Sequence, residues 1–167
     1  LTEEKSISLY CGVDPTGDSL HIGHLIPFMM LKRFAMAGHH PYIVIGGGTG
    51  AIGDPSGRKT ERQLQTMETI QANGEKLKAQ FTHLFGDDQN ITFVNNYDWL
   101  SKISLLDFLR DYGKLFPINI MLAKEVVASR LENGISFTEF TYQILQAVDY
   151  EHLYSTHDVQ LQVGGAD

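Results

Sequence analysis

Hydrophobic and polar positions change their spacing several times along the chain, and each change marks an element. ISLYCGVD (7–14) alternates and is rich in β-formers, so its spacing predicts a strand. PTGDS follows as turn chemistry, with Ser19 the expected N-cap of a helix running to about residue 37. HHPYIVIGGG (39–48) is apolar without alternation, the pattern of a strand buried on both faces of a parallel sheet. A glycine-rich loop to about residue 60 and a long polar helix over roughly 61–85 come next. NITFVNN (90–96) predicts a third strand. Helices are expected over 104–113, 119–133 and 136–155, broken by FP and NG, and VQLQVGG is a last strand. Strands that alternate with helices predict an α/β fold: a parallel sheet with flanking helices and a ligand site at the strands' carboxyl ends.

Composition narrows this picture. The 167 residues suit one domain with a real core, and 43% of them are apolar. No apolar run approaches the ~18 residues of a membrane span, and residues 1–10 lack the basic start and apolar stretch of a signal peptide. The single cysteine, Cys11, allows no internal disulfide, which suits a reducing cytoplasm. With a net charge of −7, contact with nucleic acid has to come from a local patch. No stretch reads as a linker, a low-complexity tract or a repeat. Leu1 is not a start methionine and the last strand runs into a Gly-Gly turn, so the chain reads as part of a longer protein.

Three stretches carry candidate chemistry. In DSLHIGHLIPFMM (18–30), His21 and His24 stand three apart at a helix start. That terminus attracts phosphate through free N–H groups and a partial positive charge, and the ring N–H groups add donors. Gly23 clears space for a flat ring to lie on the backbone, and Pro27 gives up one helix hydrogen bond and bends the helix nearby. The bland alternative is a capped helix with two surface histidines. A metal site is disfavoured, since no third ligand sits close in sequence.

The second stretch, GGGTGAIGDPSG (46–57), contains GTGAIG, a match to the dinucleotide-binding pattern G-x-G-x-x-G, with Glu68 placed where a ribose-binding acid would fall. Context argues against that reading. The pattern needs a helix to open at the loop, whereas Pro55 follows at once and pushes Asp54 out of helical geometry. No Walker A pattern is present either. What remains is a rigid loop presenting Asp54, followed by Arg58 and Arg62 as a basic patch or as a solvated helix start. In the third stretch, SFTEFTYQILQAVDY (136–150), Tyr142, Gln146 and Asp149 share one side of an otherwise apolar helix. They face either solvent or a polar pocket, because an unpaired buried carboxylate is costly. With Asp54 they suit a ligand bearing an ammonium at one end and a hydroxyl at the other.

HIGH is the signature of class I aminoacyl-tRNA synthetases. Together, YCGVDPTGDSLHIGHL, GDPSGR, NNYDW, GISFTEFTYQILQAVD and LQVGGAD resemble the bacterial tyrosyl-tRNA synthetase family from about residue 7 to the end. The resemblance implies a Rossmann-like catalytic domain over 1–167 that activates L-tyrosine with Mg-ATP and transfers it to tRNA(Tyr), with no organic cofactor and no resident metal. It implies that Tyr10 and Asp149 bind the substrate phenol. Tyr142, Gln146 and Asp54 would hold the α-ammonium, with Thr49 and Asn96 in support and Gln162 nearby. Thr16, His21 and His24 would stabilise the phosphates, and Arg58 and Arg62 the pyrophosphate. The ATP-binding set it implies is Cys11, Gly12, Asp14, Gly23, Pro27, Gly164 and Asp167. A cytoplasmic homodimer is implied as well, with inserted interface helices at about 104–140 and apolar residues of LLDFLRDYGKLFPINIMLAKEVV (105–127) and Phe137 at the interface. The competing reading is that these residues fill the core. A KMSKS-type loop and an anticodon-binding domain are absent from the 167 residues. Two other functions compete: another H-x-G-H nucleotidyltransferase, or an inactive synthetase-like module that binds RNA.

Overall fold

The computed structural model describes residues 5–55, 60, 62–86 and 90–164. Among the described residues four strands form one parallel sheet: β1 (Ser8–Val13), β2 (His40–Ile45), β3 (Thr92–Asn95) and β4 (Val159–Gln162), in the order β3-β2-β1-β4. Tyr10 pairs with Tyr42 on one side and Gln162 on the other. The chain winds outward from β1 through β2 to β3, then returns to place β4 on β1's free side. That reversal opens a crevice at the carboxyl ends of the strands.

The alternation in β1 explains the layering. Leu9, Cys11 and Val13 face Phe28 and Leu31 of α1 (Ile22–Met36) and Leu77, Phe81 and Phe85 of α3 (Met67–Phe85). Phe28 and Phe81 meet with ring centroids 4.3 Å apart. Tyr10 and Val44 point the other way, onto Leu153 of α8 (Phe137–His157). Each such large side chain contributes about 1.5–3 kcal/mol on burial, so both faces hold helices firmly at the crevice.

Several boundaries differ from the sequence pattern. α1 is capped by His21 rather than Ser19, and it continues through Pro27. α3 starts at Met67, not near 61, because the Thr66 side chain accepts from Thr69 N–H and the segment before it is tied to the β1–α1 turn. Arg62 therefore lies in an irregular segment, not at a helix start, while Arg58 lies outside the described residues. Two short helices, α2 (Thr49–Ile52) and α4 (Tyr97–Leu100), were not legible as helices. The expected helix over 104–113 is α5 (Leu105–Asp107), a π-helical turn (Phe108–Tyr112) and a 3₁₀ turn (Gly113–Leu115). Pro117 stops further winding, since it forces Phe116 to extend. The stretch over 119–133 is two helices, α6 (Ile118–Ala123) and α7 (Glu125–Leu131), parted by extended Lys124.

The segment from α5 to α7 does not simply fill the core. Met121 and Val127 are buried, but Leu105 and Leu106 are 71% and 76% exposed, and Phe137 is 71% exposed. Among the described residues no helix is long and apolar enough to cross a membrane.

Candidate active site

The crevice holds a cavity of about 530 Å³. Its first wall is the turn from β1 into α1. The Nδ1 of His21 accepts from Gly23 N–H at 3.1 Å, and the Nδ1 of His24 accepts from His21 N–H at 3.1 Å. With both Nδ1 atoms accepting, each neutral ring carries its proton on Nε2. The rings lie 3.8 Å apart. Burial, then the neighbouring His21, pulls the His24 pKa down. A Cβ on Gly23 would sit 3.0 Å from His21 Cε1. The ring that needs the space at Gly23 in this structure is thus His21's own.

The second wall is the glycine loop after β2. A Cβ on Gly46 would fall 1.9 Å from Asp14 Oδ1, and one on Gly47 would fall 2.3 Å from Asn95 Oδ1. The glycines are required by neighbouring side chains. The helix that opens at this loop ends after four residues at Gly53 (φ 90°), so it supplies no long dinucleotide-binding helix. The Asp14 carboxylate accepts from Thr49 Oγ1 at 2.6 Å and from Tyr142 Oη at 2.9 Å. Burial outweighs both bonds and pushes its pKa up to about 6, with Asp54 adding to the rise.

The third wall is α8. Tyr142, Gln146 and Asp149 all line the cavity, so the polar side of this helix faces a pocket, not open solvent. Asp149 accepts from Asn96 Nδ2 at 2.9 Å and from Trp99 Nε1 at 2.8 Å. Its burial still pushes its pKa up to about 7. Asn96 also donates to Thr49 Oγ1 and accepts from Gly48 N–H. One amide thereby joins the glycine loop to α8. Above them Tyr10 Oη is buried beside the Tyr150 hydroxyl, with no hydrogen bond of ordinary geometry among the described residues. Burial raises its pKa, and its ring meets Tyr150 edge-on at 5.4 Å. Tyr150 Oη donates to Gln162 Oε1.

Of the residues singled out from sequence, Tyr10, Cys11, Gly12, Asp14, Thr16, His21, His24, Thr49, Asp54, Arg62, Asn96, Tyr142, Gln146, Asp149, Gln162 and Gly164 line this one cavity. Gly23 stands directly behind His21. Pro27 is half-buried in α1 and does not line it. Arg58 and Asp167 lie outside the described residues. Trp99 carried no assigned role; its only signal was its place in NNYDW, and its donor-only indole holds one oxygen of Asp149.

The cavity is chemically polarised. Asp14, Asp54 and Asp149 make one region acidic. Arg62 donates to Thr16 Oγ1 and to the Asp54 carbonyl, and it lines the same cavity as the two imidazoles. Such a site seats a cation beside carboxylates and an anion beside donors. Among the described residues no group of three His, Cys, Asp or Glu side chains is arranged to hold a metal ion.

A family model described as tRNA synthetases class I (W and Y) matches residues 2–167. The tyrosine–tRNA ligase of Latilactobacillus sakei is 80% identical over all 167 residues, which make up 40% of its length. That of Levilactobacillus brevis is 75% identical over the same span, again 40% of its length. The chain thus spans two fifths of the curated relatives it matches. Among solved structures, a C-terminally truncated mitochondrial tyrosyl-tRNA synthetase from Aspergillus nidulans superposes with a TM-score of 0.86 at 36% identity, covering 98% of this chain and 50% of that one. A tyrosyl-tRNA synthetase complexed with L-tyrosine from Archaeoglobus fulgidus gives 0.73 at 22% identity, covering 96% of this chain and 46% of that one, a likeness of fold.

Proposed function

Since the chain belongs to the class I tRNA synthetases of the tryptophan and tyrosine type, we propose that it forms the amino-acid-activating part of a tyrosine–tRNA ligase. The observation that carries this reading is the pairing of three carboxylates with one buried phenol, Tyr10, in a single cavity. The acidic region suits an α-ammonium, held by Asp54, Tyr142 and Gln146. The substrate hydroxyl sits between Tyr10 and Asp149, with Thr49, Asn96 and Gln162 supporting the wall. The 75–80% identity to tyrosine–tRNA ligases supports the same assignment.

The reaction needs no protein nucleophile. A carboxylate oxygen of tyrosine forms a bond to the α-phosphorus of ATP, and the bond from that phosphorus to the bridging oxygen breaks. Pyrophosphate leaves with the electron pair, and no proton has to move. Catalysis then rests on alignment and on stabilising charge as pyrophosphate departs. His21 and His24, with Nδ1 engaged by backbone, aim Nε2–H donors outward, and Thr16, Arg62 and Arg58 add to that anion seat. Cys11, Gly12, Asp14, Gly23, Gly164 and Asp167 take the nucleoside, and Mg²⁺ arrives with the phosphates. Transfer of tyrosine to tRNA(Tyr), a cytoplasmic site of action and a homodimer through the exposed apolar residues of α5–α7 and Phe137 complete the proposal. Together these describe a class I catalytic domain with an inserted interface segment at about 104–140.

Calorimetric titration with tyrosine, phenylalanine and tryptophan, without ATP, tests it. Tyrosine should bind while phenylalanine binds weakly or not at all, because phenylalanine brings no hydroxyl to replace the water that Tyr10 Oη and the remaining Asp149 lone pairs would give up. Preference for tryptophan would move the assignment to the other branch of the family, and binding of none of the three would overturn it.

A further inference from the structure

An ion pair lies buried outside the cavity, at the root of α8. The side chains of Arg130 in α7 and Glu139 in the first turn of α8 are 3% and 1% exposed. They meet as a fork, with Arg130 Nη2 2.7 Å from Oε2 and Nη1 3.2 Å from Oε1. Nη2 also donates to the carbonyl of Gly134, whose φ of +81° makes the turn between the helices. The Arg130 Nε is buried without a partner among the described residues.

Stability alone explains this arrangement poorly. Stripping water from two charges is costly, and an apolar pair of similar volume commonly serves a core as well or better. What a two-bond fork supplies is a fixed distance and angle. The geometry it would fix is close by. Ser136 caps α8 by accepting from Glu139 N–H, and Tyr142 follows one turn later with its hydroxyl on Asp14.

We propose that the Arg130–Glu139 fork is a positioning device that sets the height and rotation of α8, so that Tyr142, Gln146 and Asp149 meet the cavity in register. Neither residue lines the cavity, so the pair acts through the helix. The identity of the ligand rests on the function proposed above; the geometric claim does not.

The test uses the protein at full length. Arg130→Met with Glu139→Leu should keep or raise the melting temperature. Hydrogen exchange should accelerate over residues 137–142 and remain unchanged in α3. In ATP–pyrophosphate exchange, tyrosine KM should rise roughly tenfold to a hundredfold, while the KM for ATP holds. An unchanged exchange pattern and tyrosine KM at unchanged melting temperature would overturn the proposal. Arg130→Lys, which keeps the charge but offers one point contact in place of a fork, repeats the same readouts if the double variant does not fold. It should give smaller shifts in the same direction, and no shift would again count against the device. If the wild type shows no tyrosine-dependent exchange, the functional reading falls, and the hydrogen-exchange pattern alone decides the fork's role.

Discussion

The cavity wall and the α5–α7 segment break the same rule in opposite directions. In the wall Asp149 is 5% exposed, and desolvation pushes the pKa of the part-buried Asp14 up to about 6. In the segment, leucines stand in solvent. Burying charge and exposing large apolar residues each cost free energy that the isolated chain does not recover. The carboxylates are supported by dedicated donors, namely Thr49, Tyr142, Asn96 and Trp99. The leucines are supported by nothing on their outer side among the described residues. The wall is therefore built from acceptors held in place by donors, whereas the segment presents apolar side chains outward. One inversion points to a small polar ligand and the other to a protein surface.

Changes that remove a donor from the cavity should sharpen this contrast most. His21→Ala should slow tyrosine activation by about 10²–10³-fold, but it also deletes the α1 cap. His21→Ser separates the two effects, because serine caps well and its short hydroxyl does not extend to where the ring Nε2–H lies. The melting temperature should recover while the rate stays low. Recovery of the rate along with stability would reduce His21 to a cap.

Asp149→Asn should come next. It turns a carboxylate oxygen that accepts from a neighbouring donor into an amide that cannot, at a cost of about 1–3 kcal/mol, and it should erase the preference for tyrosine over phenylalanine. Its pH signature is separate. Asp14 and Asp149 hold protons more tightly folded than unfolded, with folded values of about 6 and about 7. Between about pH 4 and 7 the folded state binds more protons, so ligand-free stability falls as pH rises through that window. Asp149→Asn should flatten the upper part of the fall. Tyrosine, whose ammonium favours the ionised carboxylates, should bind more tightly as pH rises across the same window and release protons as it binds. Thermal unfolding against pH, with titrations in buffers of differing ionisation enthalpy, reads both.

The smallest stability effect belongs to the segment. Leu106→Asp should alter the stability of the monomeric fold by no more than about 0.5 kcal/mol, yet shift sedimentation toward a smaller species. A loss of several kcal/mol in a monomer would mean that Leu106 packs inside, and the contrast between the two regions would fail.

Much of the site was legible from residue type and spacing. The i, i+4, i+7 placement of Tyr142, Gln146 and Asp149 shows that they share a helix side, and the apolar residues around them argue that the helix is covered. The pair of histidines at a helix start was legible too, but not the arrangement in which each Nδ1 accepts a backbone N–H and His21 itself forms the cap. Ser19 is the better cap by residue preference; His21 wins because Gly23 leaves room for its ring. Trp99 escaped notice because nothing local relates it to Asp149, fifty residues away. The start of α3 was misplaced because Gln65, which looks helix-compatible locally, is used to bond Thr16 across the molecule.

The sequence by itself determined the α/β class with its parallel sheet, the burial of β2 on both faces and the residue types that line the cavity. Those features depend on periods and on chemistry that each residue carries with it. Tertiary structure decided which oxygen of Asp149 meets Trp99, why the loop must read Gly46-Gly47, and that the leucines of α5–α7 face outward. Such outcomes depend on contacts between residues far apart in the chain, where a side chain's free energy is set by what folding brings beside it.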